Sequence, residues 1–401
     1  MNIIVQKFGG TSVENIERIK RVAHIIANNS SKVIVVVSAM AGMTNQLVKY
    51  TNDIHAATNI KELSEYDTVI SAGEQITIGL TCLALMSLGL KAKSYLGWQV
   101  PITTTSEFSQ AKISSICTQN LINDLQEGII PVIAGFQGHH KHRITTLGRG
   151  GSDTTAVAIA VAVNAMRCDI YTDVNGIFTA DPRIVPKAQK LNEINYEAAL
   201  EMASCGAKVI HPRAVEIAMN ADLPIRILNT FSNNIGTQIS SQSIIMEKTI
   251  INGIAIKRNL IMITFLQLPV TKINQLLNEL IIATLPIEFT SQFNVYSAGS
   301  QTVCDYCICI SNEFYERFYK LYEDTFKSEH KIVIRNHLSK ITIIGIGIKN
   351  DNKILTKILE TLNTTIIVAM NILETQISII VEESYTESIL RGLHTNLGLD
   401  I

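Results

Sequence analysis

The chain has 401 residues, of which 47% are hydrophobic and only 17% charged, with a formal net charge of −1. Soluble domains average about 25% charged residues, so this composition indicates a large buried interior and excludes a mainly disordered chain. A near-zero net charge argues against nucleic acid or an anionic membrane as the main partner. Seven cysteines in a long chain suit reduced thiols in the cytoplasm better than a disulfide framework. No apolar run reaches the roughly 18 residues needed to span a bilayer. Residues 1–8 lack the basic and apolar regions of a secretion signal.

Residues 3–8 read as a buried strand. Ile16, Ile19, Val22, Ile25 and Ile26 then recur at helical spacing, with Thr11 and Glu14 as a capping box. Residues 32–38 are a β-branched run typical of a strand buried on both faces. A helix ends at Gly89, residues 129–135 form another strand, and Ser152 is read as the cap of a helix reaching Met166. Strands begin at Asp169 and at Ile225, the latter read as the last of the pattern. Such strand–helix alternation predicts an α/β domain over residues 1–240, with a mostly parallel sheet between helices. Residues 240–248 read as a linker. Beyond it, residues 251–265 read strand–turn–strand, 273–280 helix and 302–310 strand. Residues 331–335 and 341–346 read as separate strands, 354–362 as a helix and 377–381 as a strand. These suggest two small units, 249–330 and 331–401.

Lys7-Phe8-Gly9-Gly10-Thr11-Ser12 joins the first strand to its helix. Two glycines let backbone amides approach a phosphate, the helix end adds partial positive charge, and Lys7 can reach a transferring phosphate. Gly148-Arg149-Gly150-Gly151-Ser152-Asp153 repeats the device. Its Arg149 suits a bidentate grip on carboxylate or phosphate, and Asp153 suits a helix start. Two such loops on one sheet point to anion handling at the strand C-termini. Thr172-Asp173-Val174-Asn175-Gly176 and Thr179-Ala180-Asp181-Pro182-Arg183 follow the next strand and can also be plain turns. Lys208 precedes a helix start at Pro212, and His211 reads as structural.

Taken in order, KFGGTSV, VVVSAMAGMT, SAGE, GFQG, TTLGRGGSDTTA, YTDVNGIFTADPR and GAKVIHPRA resemble the aspartate kinases of the amino-acid kinase superfamily. The resemblance covers residue 1 to about 237; the C-terminal third resembles more loosely the paired ACT units of the same enzymes. It implies the amino-acid kinase fold followed by two small α+β ACT-like units, interleaved through a strand at 250–257. It also implies transfer of the ATP γ-phosphoryl group to the β-carboxylate of L-aspartate, the first step towards lysine (through diaminopimelate), threonine and methionine. A carboxylate nucleophile is already ionised at pH 7, so positioning and charge neutralisation suffice without a general base.

Carried over residue by residue, the resemblance implies that Lys7, Phe8, Gly9 and Gly10 cradle the phosphates of ATP, with Ser38 and Lys208 touching them. Thr172, Asp173, Phe178, Asp181, Pro182 and Arg183 line the nucleotide pocket. Thr44, Glu74, Arg149, Gly150, Gly151 and Ser152 hold aspartate, Glu74 suiting its ammonium and Arg149 a carboxylate. Lys7, Asp153 and Lys208 are the catalytic set, with Asp153 orienting the lysines or metal. Mg²⁺ rides mainly on ATP phosphates and water, and no dedicated protein metal site is expected. A homodimer or higher homo-oligomer is expected through the ACT-like units. A fused homoserine dehydrogenase is not expected, the sequence ending at Ile401.

Two features invite a metal reading. Cys304, Cys307 and Cys309 have no second cysteine pair and fit an alternating strand; His139, His140 and His142 have no interleaved acid or thiol and fit a basic hairpin. The ACT-like turns depart from the family pattern. Residues 266–271 contain no glycine, and residues 348–353 are Asn/Asp/Lys-rich, which leads to an expectation of an active kinase with weak or absent control by lysine or threonine. Kinases of glutamate or N-acetylglutamate share the fold. A non-catalytic amino-acid sensor does too, but it has no need of Lys7, Arg149, Asp153 and Lys208.

Overall fold

The computed structural model describes residues 2–57, 59–207, 209–241, 250–298, 301–326, 331–363 and 366–400. Lys208 and most of the 240–248 linker lie outside the described residues. The chain divides into two compact units, Met1–Phe178 with Lys190–Met246, and Thr179–Gln189 with Glu247–Ile401.

Unit 1 runs β1 (Ile3–Phe8), α1 (Ile16–Ala27), β2 (Lys32–Val37), α2 (Met43–Ile54), α3 (Ile60–Ile70), α4 (Ala72–Ser87), β3 (Ala92–Tyr95), β4 (Ile102–Thr104), β5 (Ile113–Ile116), α5 (Gln119–Gln126) and β6 (Ile130–Ala134). It continues with β7 (Gln137–His140), β8 (Arg143–Thr146), α6 (Gly151–Ala162), β9 (Arg167–Thr172), β10 (Glu193–Ile194), α7 (Tyr196–Ser204), α8 (Pro212–Asn220), β11 (Ile225–Asn229) and β12 (Thr237–Ile239). The main sheet has the order β10-β12-β11-β9-β1-β2-β6-β3, and a smaller sheet has the order β5-β4-β7-β8. From β11 through β3 the main sheet is parallel. β1 is buried along its whole length, as its unbroken apolar run requires. One core fills the space between the sheet and helices α1 and α4, around Phe8, Ile19, Val22, Val35 and Leu85.

Several local expectations are corrected. The cap of α1 is Asn15, whose side chain accepts the Arg18 amide; residues 10–13 form a 3₁₀ turn instead, so Thr11 and Glu14 make no capping box. Helix α6 starts at Gly151 after Gly150, so Ser152 lies inside its first turn, and it ends at Ala162. β11 is followed by β12, which turns back antiparallel to it. The stretch Ile60–Ser87 is long and apolar enough, by length and composition, to cross a membrane, but half of its most apolar window is buried within the protein.

Unit 2 contains β13 (Ile250–Pro269), α9 (Ile273–Ile282), β14 (Phe289–Ala298), β15 (Gln301–Ser311), α10 (Tyr315–Thr325), β16 (Ile332–Ile346), α11 (Asn352–Leu362), β17 (Ala369–Ile372), β18 (Gln376–Glu382) and α12 (Thr386–Asn396). One antiparallel sheet, ordered β14-β15-β13-β16-β18-β17, carries all six strands. The two strand–turn–strand readings are corrected: β13 and β16 are single long strands, bent where Asn259 and His337 take left-handed backbone angles (φ +59 and +56). α9 and α10 cover Phe265 and Ile308, with Phe318 packed in from α10. α11 and α12 cover Ile343 and Ile379, with Leu390 packed in from α12, together with Ala180 and Val185.

Cys304, Cys307 and Cys309 are buried along β15. Cys304 packs with Phe265 and Tyr306, whereas Cys307 and Cys309 pack with Met262 and Leu338. Alternation along the strand therefore puts them on opposite faces of the sheet, where they cannot share one ion. In the other candidate cluster, His140 is held by the Thr104 carbonyl oxygen and His139 by that of Lys141.

Candidate active site

Parallel strands leave their βα loops at one edge, where the turns after β1, β2 and β9 lie. The expectation of two glycine-rich loops on one sheet is corrected, because Gly148–Asp153 follows β8 of the smaller sheet and reaches the Lys7 turn through the start of α6. β1 ends in Lys7 and Phe8. The Phe8 ring stacks on Tyr171 at 4.6 Å inside the core, leaving its backbone to the loop, where Phe8 O accepts the Ser38 amide. Gly9 donates its amide to Tyr171 O at 3.1 Å. A side chain on Gly9 would meet the Lys7 ammonium at 3.4 Å, and one on Gly10 would meet Ala39 O at 3.0 Å. Gly10 is thus tight against the loop after β2, whereas Gly9 has room for a side chain at ordinary contact with the end of Lys7.

Lys7 is nearly buried, and its Nζ lies 2.6 Å from Asp153 Oδ1. Asp153 stands in the first turn of α6, where the helix end favours a carboxylate. Its other oxygen accepts the His211 amide at 3.3 Å. Gly150 has φ +69, and a Cβ there would fall 2.2 Å from the His211 ring. His211 is therefore the wall of the glycine-rich loop as well as the cap of α8. Burial holds its imidazole below the ordinary range, favouring the neutral ring. Ser152 is packed against Gly135, at the end of β6.

Glu74, in the first turn of α4, is 3% exposed. Its Oε1 accepts the Ala39 amide at 3.0 Å, and its Oε2 is buried without a hydrogen-bond partner. Burial pushes the carboxyl up to about 7, with the Ala39 amide pulling the other way. Such a group lacks a cationic or donor partner. Thr44 lies in the first turn of α2, half-buried, and Arg149 is exposed on its loop.

Thr172 ends β9, half-buried; its carbonyl accepts the Thr230 amide, and its hydroxyl bonds Asp173 at 3.2 Å. Phe178 is half-buried and bridges to Lys190. Asp181, Pro182 and Arg183 belong to unit 2. There Arg183 clasps Asp181 through Nε and an amino group, at 3.0 and 2.7 Å, which lowers the Asp181 carboxyl below its ordinary value. Thr179, just before them, bonds through its hydroxyl to His394 Nε2 at 2.9 Å.

The sequence matches the amino acid kinase family over residues 2–229. The aspartokinase of Rickettsia felis is 46% identical over 370 residues, covering 90% of each chain. The chain belongs to the aspartokinase family. The aspartate kinase of Pseudomonas putida is 38% identical over 411 residues, covering 100% of this chain and 98% of that relative. The crystal structure of Escherichia coli aspartokinase III in complex with aspartate and ADP has the same fold, with a TM-score of 0.82 at 23% identity, covering 99% of this chain and all of that one.

Sequence reasoning did not single out Asp67 or Arg213. Both bind loop backbone beside the candidate site. Asp67 stands in no glycine-rich or otherwise marked stretch, whereas Arg213 stands in the GAKVIHPRA motif, the one signal that pointed to it.

Proposed function

We infer that the chain is an aspartate kinase that uses ATP to phosphorylate the β-carboxylate of L-aspartate, giving 4-phospho-L-aspartate and ADP. This is the first step towards lysine (through diaminopimelate), threonine and methionine. A carboxylate oxygen attacks the γ-phosphorus, and the bond from that phosphorus to the β-phosphate oxygen breaks. The single observation that carries the reading is the buried Lys7–Asp153 pair, 2.6 Å long, held between the glycine-rich turn at the C-terminal end of β1 and the glycine-rich loop that leads from β8 into α6.

In this reading Lys7 neutralises charge on the transferring phosphate while Asp153 fixes where Lys7 points. The Gly9 and Gly10 turn, Phe8 backbone and Ser38 cradle the phosphates. Thr172, Asp173 and Phe178 receive the nucleotide, and Lys208 adds charge. Glu74 offers its unpartnered oxygen to the aspartate ammonium, Arg149 grips a carboxylate, and Thr44, Gly150, Gly151 and Ser152 complete the cradle. Among the described residues no cluster of three or more His, Cys, Asp or Glu could hold a metal. In this reading Mg²⁺ would be carried mainly on ATP phosphates and water, with Asp153 the acid on hand, and would supply further charge neutralisation there.

The reading places the chain in the cytoplasm. Unit 2 forms two ACT-like halves, 249–330 and 331–401, interleaved through residues 250–257. It is the dimer surface, since edge strand β14 exposes Phe293, Val295 and Tyr296.

The test is ATP consumption with Mg²⁺ and L-aspartate, trapping the acyl phosphate with hydroxylamine, beside glutamate and N-acetylglutamate. Aspartate-dependent hydroxamate is expected. Turnover on another acid alone moves the substrate, and turnover on none refutes the kinase reading.

A further inference from the structure

Asp67, on α3, is a fully buried carboxylate that the reaction does not use. Its Oδ2 accepts the amides of Ser109 at 2.9 Å and Thr146 at 2.8 Å. Its Oδ1 accepts the Thr146 hydroxyl at 2.7 Å and shares the Ser109 amide at 3.1 Å. A buried carboxylate is costly unless its oxygens are satisfied. Here every one of these donors comes from two segments distant from α3 in sequence.

Those segments lead to the Arg149 loop. Ser109 is a non-glycine residue at φ +68, a conformation that persists only where neighbours enforce it. Its carbonyl packs on Gly148, where a Cβ would approach it to 3.2 Å. Thr146 ends β8, and its carbonyl accepts the Ala111 amide at 2.9 Å. Arg213 closes the arrangement by donating to Leu147 O at 2.6 Å and Ala111 O at 3.0 Å. The Gly151 amide then bonds Gly148 O at 3.0 Å, making a tight turn through Arg149. Little freedom is left between Thr146 and Arg149 to absorb a shift.

We propose that Asp67 is a positioning residue for aspartate: by pinning Ser109 and Thr146 it sets where Arg149 stands, touching neither substrate. This rests on the reading of Arg149 as a carboxylate grip. Misplacing a binding group by about 1 Å costs up to roughly 100-fold in rate.

The test is steady-state kinetics of the full chain, varying aspartate and ATP separately, for Asp67→Ala, Asp67→Asn and Arg149→Ala. Asp67→Ala strands two amides, and its KM for aspartate is expected to rise roughly tenfold or more while KM for ATP stays within about twofold. In Asp67→Asn the remaining carbonyl can take both amides while the Thr146 hydroxyl turns to accept, so KM for aspartate returns to within about threefold of the parent. A purely structural role predicts a fall in kcat with both KM values unchanged, and that result overturns the proposal. So does an Asn variant no better than Ala. If Asp67→Ala does not fold, Thr146→Val removes the hydroxyl contact alone; a rise of about threefold in KM for aspartate supports the proposal, and no rise overturns it. Arg149→Ala separates the two readings. A rise there without one in the Asp67 or Thr146 variants refutes the role of Asp67 only; no rise there refutes the Arg149 reading and this proposal with it.

Discussion

Lys7 Nζ and Asp153 Oδ1 lie 2.6 Å apart, one at the end of the first strand and the other in the first turn of α6. The pair joins the two glycine-rich loops. Lys7→Ala is expected to lower hydroxamate formation by about 10²–10³-fold, the loss seen when one transition-state donor is removed. It also leaves Asp153 without its cation, costing up to about 3 kcal/mol for a pair that keeps slight exposure. Lys7→Met with Asp153→Asn should recover the melting temperature but no activity. Recovery of both would show that the pair is structural.

Glu74 gives a pH dependence. Its carboxyl sits at about 7 in the folded chain against an ordinary 4.5, so below pH 7 it is protonated and cannot meet an ammonium. KM for aspartate should rise as pH falls through 7, and Glu74→Gln should raise it above pH 7, the two profiles converging below it. Because the folded value is raised, this group's stabilising effect is complete below pH 4.5 and is lost as pH climbs through 7. Relative to Glu74→Gln, the parent should therefore lose roughly 1–3 kcal/mol between pH 4.5 and 8. Chemical denaturation at the two pH values measures it, and parallel curves would refute the assignment.

Gly150→Ala tests the wall made by His211. The added methyl falls 2.2 Å from the imidazole on a backbone at φ +69, so a roughly tenfold or larger loss in kcat/KM for aspartate is expected. Gly150→Ala with His211→Gly, which also removes the His211 Cβ that would lie 2.4 Å from the added methyl, should restore part of it, because the strain left in a left-handed alanine is only about 1–2 kcal/mol. No restoration would assign the defect to backbone strain alone.

His394 supplies a second pH effect, confined to unit 2. Its Nε2 bonds the Thr179 hydroxyl, its Nδ1 is buried without a partner, and burial lowers its pKa despite the nearby Asp400. A lowered folded value means that its contribution is full above about 6.5 and is lost as pH falls below that. Melting curves from pH 7.5 to 5.5 should show a steeper decline for the parent than for His394→Gln.

Effector control is checked by isothermal titration with lysine and threonine. In the second turn Gly347 keeps a left-handed φ of +74, but Asp351 caps α11 and Lys349 pairs with Glu374 at 2.7 Å. The first turn runs from Pro269 into a short 3₁₀ segment without glycine. Weak or no binding is expected. Micromolar affinity for either amino acid would sink the idea that control has been lost.

Unit 1 was largely legible because its signals are local. Unbroken β-branched runs such as 33–37 can only be buried strands, and paired glycines mark the turns that follow them. Unit 2 misled where the same signals serve another end. Asn259 and His337 resemble turn residues, yet their left-handed angles bend continuous strands. β14 (FTSQFNVYSA) has neither an apolar run nor regular alternation and gave no signal. In the site, Lys7, Arg149 and Asp153 announce themselves through their neighbours. Asp67 does not, because an acid between Tyr66 and Thr68 on a helix looks solvated until the fold brings Ser109 and Thr146 to it.

The long strand β13 has a consequence for synthesis. Its early half pairs with the late half of β16, Ile254 opposite Ile343, while its late half meets both β15 and the early half of β16. A ribosome adding about 5–20 residues per second leaves that apolar edge without its neighbour for on the order of ten seconds. Neither half of this sheet can be completed from its own stretch of chain. Unit 2 must therefore wait for almost the whole polypeptide before it folds, and its most β-prone segment is the one that nascent-chain binders would have to shield.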